Sequence, residues 1–170
     1  MNIPTYYREH ILPIVPDALT DYLNDNGFFS APASTKYHGN FPGGLYEHSV
    51  IVTDTLVKLT QCNNLKWVSQ TSPYIVGMFH DLCKIDLYVS ADNGYTYNSN
   101  TGLNGHGEKS VIMLQQHLRL TPEEIYCIRY HMGAFTDKDE WNYYARAVKK
   151  YPNVLWTHTA DMIASNILDT

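Results

Sequence analysis

The helix written most clearly in this sequence carries an ionisable side chain on its apolar face. From Gly44 to about Cys62, Leu45, Val52, Leu56 and Leu59 recur at helical spacing, and His48 falls among them. A buried imidazole is costly unless it is paired or bound to a metal, so the rest of the fold must bring a partner to it. The same problem recurs elsewhere. On the last helical segment Val154, His158, Asp161, Ser165 and Leu168 form one stripe, with a carboxylate in its middle. His131 shares a face with Cys127 and Ile128, and His80-Asp81 follows the apolar run Tyr-Ile-Val-Gly-Met-Phe opened by Pro73.

The elements that present these groups are mostly helical. An opening segment reaches Pro16, and Asp17 to Asn26 reads as a short helix stopped by Gly27. Residues 28 to 43 read as an irregular loop ending in Phe-Pro-Gly-Gly, followed by the His48 helix and the helix opened by Pro73. Leu87-Tyr-Val, Asp-Asn-Gly and Tyr-Thr-Tyr predict a short β-hairpin with an Asn-Gly turn. His106, in Gly-His-Gly, stands at the entrance to a helix carrying Val111, Ile112 and Leu114. Thr121-Pro-Glu-Glu predicts a helix start with a capping box closed by Glu124, and that helix carries His131 near its end. Two more helices are expected, at roughly 137 to 150 and 153 to 168. At least five helices would then supply the core of one domain spanning 1–170, a compact all-α bundle with a small hairpin.

Composition narrows the function classes. Of 170 residues, 44% are hydrophobic and 17% charged, which suits a packed domain. The net charge of -5 argues against a partner as anionic as long nucleic acid. Cys62, Cys83 and Cys127 are scattered and odd in number, so we expect no disulfide framework and read all three as buried packing residues. The start shows neither a basic segment nor a long apolar one, and no stretch approaches a membrane span. A cytoplasmic location is the simplest expectation, and the oligomeric state stays open.

Imidazole and carboxylate together suit a divalent transition metal (Mn, Fe, Co, Ni or Zn), with one or two ions bound; Mg, which prefers oxygen, fits at most a second site. With two ions, a carboxylate such as Asp81 can bridge them, and the pair clamps the attacking and leaving oxygens of a phosphoryl transfer.

The ordered series His48, His80-Asp81, His106, His131, Asp161 resembles the HD superfamily of metal-dependent phosphohydrolases. The strings Gly-Gly-Leu-Tyr-Glu-His-Ser, Phe-His-Asp-Leu-Cys-Lys, Gly-His-Gly-Glu-Lys-Ser, Ile-Arg-Tyr-His-Met and His-Thr-Ala-Asp-Met carry the resemblance, from about residue 38 to the end. It implies an HD-domain fold and a core metal site of His48, His80, Asp81 and Asp161. His106 and His131 match the additional pair of members holding two metals, better known among phosphodiesterases. The resemblance makes Asp81 and Lys84 the catalytic pair, with Lys84 of the His-Asp-x-x-Lys form stabilising phosphate charge. Cys83 departs from the pattern, where glycine is frequent. The Gly-Tyr-Pro extension of cyclic-dinucleotide hydrolases is absent from the sequence.

The resemblance implies hydrolysis of a phosphoester or phosphoanhydride, with a nucleotide as the expected small substrate and a metal-activated water as attacking group. The alternatives are a phosphodiesterase acting on a cyclic nucleotide or short single-stranded RNA, and a non-catalytic metal- or nucleotide-binding module. A cationic groove of Lys84, Lys109 and Arg129 would mark the diesterase. Several neighbours keep plainer readings. Lys84 reads equally as a lysine paired with Asp86, and Arg129 as a surface ion pair. His158 reads as support for Asp161, and His10 and His117 as surface residues. Glu47 and Glu108 adjoin proposed ligands without an assigned role. His38 reads as a loop residue with a local hydrogen bond, the pocket wall being its alternative place. The 14 tyrosines offer base-stacking rings or ordinary packing.

Overall fold

A computed structural model of the chain describes residues 3–37, 39–92 and 94–168. His38, and Asn93 of the expected hairpin turn, lie outside the described residues. The helices are α1 (Asp17–Asp25), α2 (Gly44–Asn63), α3 (Ser72–Phe79), α4 (Lys84–Leu87), α5 (Gly107–Gln115), α6 (Pro122–Arg129), α7 (Trp141–Lys150) and α8 (Asn153–Ile163). A two-stranded antiparallel hairpin, β1 (Tyr88–Ala91) and β2 (Gly94–Tyr97), stands between α4 and α5, pairing Tyr88 with Tyr97 and Val89 with Thr96. The fold is thus all-α with a hairpin, and no described helix is long and apolar enough to cross a membrane.

α2 is the central helix, flanked by α3 and α8. Leu45, Val52 and Leu56 are fully buried and Leu59 partly so, which follows from their shared face. Around them Tyr7, Phe28, Phe79, Leu82, Leu114 and Ile128 close the core.

α3 can lie close to α2 because residue 77 is glycine: a Cβ there would stand 2.6 Å from Thr53 Cα. Gly107 does the same for α5, whose first turn meets the end of α6; a Cβ would stand 2.3 Å from the Arg129 carbonyl oxygen. These two contacts bring His80 and His106, which follow and precede those glycines, toward one point.

The direction of α6 is set by two buried glutamates at its start. Glu124 completes the capping box with Thr121 and accepts a hydrogen bond from Ser72 Oγ at 2.8 Å, joining α6 to α3. Glu123 accepts from the Val68 backbone N–H at 2.6 Å and from Asn153 Nδ2 at 2.9 Å, joining α6 to the α2–α3 loop and to α8. Buried carboxylates satisfied in this way hold helix ends in register.

Several expectations need correction. The opening segment is helical, with a π turn at Tyr7–Ile11 and a 3₁₀ turn at Leu12–Ile14. His131 lies just beyond α6, because the helix stops at Arg129 and the chain turns toward a 3₁₀ segment, Gly133–Phe135. The segment at 137 to 150 begins as a 3₁₀ turn, and only Trp141–Lys150 is α-helix. The stripe on the last segment is broken too: Val154 is buried, but α8 ends at Ile163 in a π turn that leaves Leu168 exposed. Ile112 likewise faces outward.

Replacing Gly77 with Ala should cost about 1–3 kcal/mol by forcing α3 away from α2. Urea denaturation of the variant, read against wild type, measures this as a lower midpoint at unchanged slope.

Candidate metal centre

All six expected ligands converge. His48 comes from the second turn of α2, His80 and Asp81 from the turn after α3, and His106 from the residue that precedes α5. His131 comes from the turn after α6, and Asp161 from α8. His48, His80, Asp81 and His131 are buried, and His106 and Asp161 half-buried. Three overlapping groups can each hold a metal ion: His48 with His80 and Asp81, His80 with His131 and Asp161, and Asp81 with Cys83 and His106.

Asp81 is the hub. Its Oδ2 lies 2.7 Å from Lys84 Nζ, 3.4 Å from His80 Nε2 and 3.8 Å from His48 Nε2. Its Oδ1 lies 2.7 Å from His106 Nε2 and 3.3 Å from His131 Nε2. Asp161 Oδ1 faces the first of these sides, 3.2 Å from His48 Nε2 and 3.9 Å from His80 Nε2. It also accepts a hydrogen bond from Ser165 Oγ at 3.2 Å.

The backbone aims two of the imidazoles. His80 Nδ1–H donates to the Gly77 carbonyl at 2.8 Å, and His131 Nδ1–H to the Ile128 carbonyl at 2.7 Å. A neutral imidazole whose Nδ1 bears the proton has only a lone pair at Nε2. Both Nε2 atoms are buried without a hydrogen-bond partner, and each points at carboxylate oxygens. Lone pairs at that spacing repel one another unless a cation lies between them, so the donor set fits a metal ion.

Charge follows the same logic. Burial alone would push the Asp81 carboxyl up, but Lys84 and His106 outweigh it and hold it well below the usual carboxylate range. Burial opposes ionisation of Asp161 too, and the hydrogen bond with His48 overrides it in the same direction. His106 would be lowered by burial; the Asp81 carboxylate, with help from Cys83, instead raises it from 6.5 to about 9.

Neighbouring residues correct several readings. Lys84 does not pair with Asp86; it is buried against Asp81, and Asp86 is taken by the buried Lys109, which also bonds Thr101. Arg129 pairs with Glu108 and with Glu140, the latter at 2.6 Å. Lys109 and Arg129 are therefore engaged in ion pairs, and of the expected groove only Lys84 lines the cavity above the cluster. His158 does not brace Asp161: its Nδ1–H donates to the His131 carbonyl at 2.9 Å. His10 is exposed, as expected, whereas His117 is half-buried and stacks on Tyr22. Cys62 is exposed, against the packing expectation, while Cys127 is buried.

Cys83 is buried in the core, as expected of a packing residue, and it also meets the cluster, its Sγ 3.1 Å from His106 Nδ1. Its own backbone N–H donates to Ser110 Oγ at 3.0 Å, binding the His80–Lys84 turn to α5. The signal was its position two residues after Asp81.

No family model matches the chain, and no curated protein or solved structure matches it either.

In chelator-treated protein, the raised pKa of His106 gives a stabilising contribution that is full below pH 6.5 and is lost as the pH rises through 9. The lowered carboxyls of Asp81 and Asp161 act oppositely, stabilising above the ordinary value of 3.8 and failing on acidification. Urea midpoints at pH 6.5 and 9 should fall between the two for wild type and change less for His106→Asn.

Proposed function

We propose that this chain is a metal-dependent phosphohydrolase of the HD type, cleaving a phosphoester or phosphoanhydride bond of a small substrate such as a nucleotide. The observation that carries this reading is Asp81, whose two oxygens face different sets of imidazoles. That is the disposition a bridging carboxylate needs, and one side is completed by Asp161. The cavity over the cluster holds about 1170 Å³ and is lined by Asp81, Lys84, His106 and Asp161, so a substrate's phosphate has access to the cluster itself.

Divalent ions bound there would supply Lewis acidity, activating water and neutralising phosphate charge. The chain's own residues do the remaining work. Gly77 and Ile128 carbonyls fix the rings of His80 and His131, so no reorientation is needed on binding. His158 holds the backbone of His131 from the α8 side. Lys84 balances the Asp81 charge and keeps a cation at the cavity floor, where phosphoryl oxygens gain negative charge during transfer. Burial would lower the Lys84 ammonium, but Asp81 raises it above its ordinary value, so it remains charged.

A small substrate is favoured over a short RNA because Lys109 and Arg129 are already paired with carboxylates. A polyanion would find few uncommitted cations beside the cavity.

Phosphate release from a panel of nucleotides and model diesters, with Mn, Ni, Co and Mg supplied separately, tests the reading. Activity should require a transition ion and disappear with chelator. Asp81→Ala should abolish it while circular dichroism stays unchanged, and Lys84→Met should lower kcat by about 10²–10³. Wild-type turnover by Asp81→Ala would overturn the proposal, and tight metal binding with no turnover on any substrate would favour a binding module.

A further inference from the structure

The cavity is chemically two-ended. Its floor is ionic, formed by the residues of the metal-type cluster and Lys84. Its walls include four aromatic rings from three separated parts of the chain: Tyr37 before α2, Tyr88 and Tyr97 on the hairpin, and Phe135 after α6. Tyr37, Tyr97 and Phe135 are 78%, 65% and 66% exposed. Single exposed rings are ordinary, but three around one opening form a patch, and such patches mark binding surfaces.

The hairpin gives part of this patch a set shape. Tyr88 and Tyr97 are direct cross-strand partners, with ring centroids 5.4 Å apart in an edge contact. Each ring limits the other, so the surface is ordered before a ligand arrives. The β1–β2 unit is short and contributes little to the core: Val89 and Tyr97 are both exposed. Its position over the cavity is better accounted for by a ligand than by packing.

The chemistry of the walls selects the occupant. Among the described residues lining the cavity the cations are Lys84 and His106, and both are held at the floor by Asp81. The rings therefore accept something flat and uncharged, joined to a group that the ionic floor binds. Leu87, Met132 and Met162 also line the cavity, but an acyl chain would leave the amides of Asn104 and Asn166 without partners, whereas polar edges can meet them. A nucleobase has a π-face for the rings and hydrogen-bonding edges for the amides, and its attached phosphate suits the floor.

We propose that Tyr37, Tyr97 and Phe135 form a stacking rim that receives the base of a nucleotide while its phosphate lies over the Asp81 cluster. Only the placement of the phosphate rests on the phosphohydrolase reading. Because ring faces are read rather than base edges alone, the rim takes both purines and pyrimidines, and it determines specificity between nucleotides and base-free phosphates.

Calorimetric titration of the full chain supplied with Mn tests this with adenosine monophosphate, uridine monophosphate and ribose 5-phosphate, each as its methylene phosphonate, whose C–P bond is not hydrolysed. Both nucleotides should bind about 5–100-fold more tightly than ribose 5-phosphate, the range expected for one stacked base. Tyr97→Ser and Phe135→Ser, both at exposed positions, should each weaken nucleotide binding several-fold and leave ribose 5-phosphate unchanged. Equal binding of all three, binding of none, or equal weakening of all three in both variants overturns the rim. A parallel phosphate-release assay with Mn and the phosphates themselves separates the two proposals. Nucleotide-selective binding without release supports the rim and overturns the hydrolase reading. Release from all three alike, without selective binding, overturns the rim alone.

Discussion

A buried carboxylate surrounded by imidazoles is the constraint on which the rest of this structure turns. Asp81 is 3% exposed, and its ionised form survives there because Lys84 and His106 lie against it. Removing such a group from water costs several kcal/mol unless its partners compensate. Those partners come from the first residue of α4 and the residue before α5, so compensation requires the helices to be assembled. The polar centre and the hydrophobic core are therefore parts of one packing solution.

The supporting contacts explain how soft elements achieve a definite geometry. His80, His106 and His131 all lie at helix ends, where orphan backbone groups and turns would ordinarily allow movement. Carbonyls of Gly77 and Ile128 fix two of the rings, Cys83 meets the third, and His158 steadies the His131 turn. Close helix contact at Gly77 and Gly107 brings these ends within reach of one another. At the start of α6, Glu123 and Glu124 connect the helix to its neighbours, and the turn carrying His131 follows from its direction.

The cavity sets this rigid floor against a mouth that packs less. The floor is buried and charge-compensated; the mouth exposes aromatic rings and is formed by the hairpin and two irregular segments. Such a division suits a site in which chemistry is held fixed and recognition is carried by surface side chains.

Much of this was legible in the residues themselves. Helical periodicity located α2 and α3, the Thr121 capping box located the start of α6, and alternating Tyr residues around Asp-Asn-Gly located the hairpin. The six ligand-type residues were legible because each ionisable group sat where an apolar one was due, or in a motif resembling a known family. What no local pattern contained was partner choice. Lys84 had Asp86 two residues away and Asp81 three residues away; the turn of the chain directs it to Asp81, and Lys109 occupies Asp86 from another helix. The contact of Cys83 with His106 crosses 23 residues, and the burial that makes a thiol there matter exists only once α5 packs against the turn. Sequence determined which groups must escape water, since that depends on side-chain chemistry and helical phase alone. Tertiary structure decided which of them met, because distances between helices depend on how closely their backbones approach.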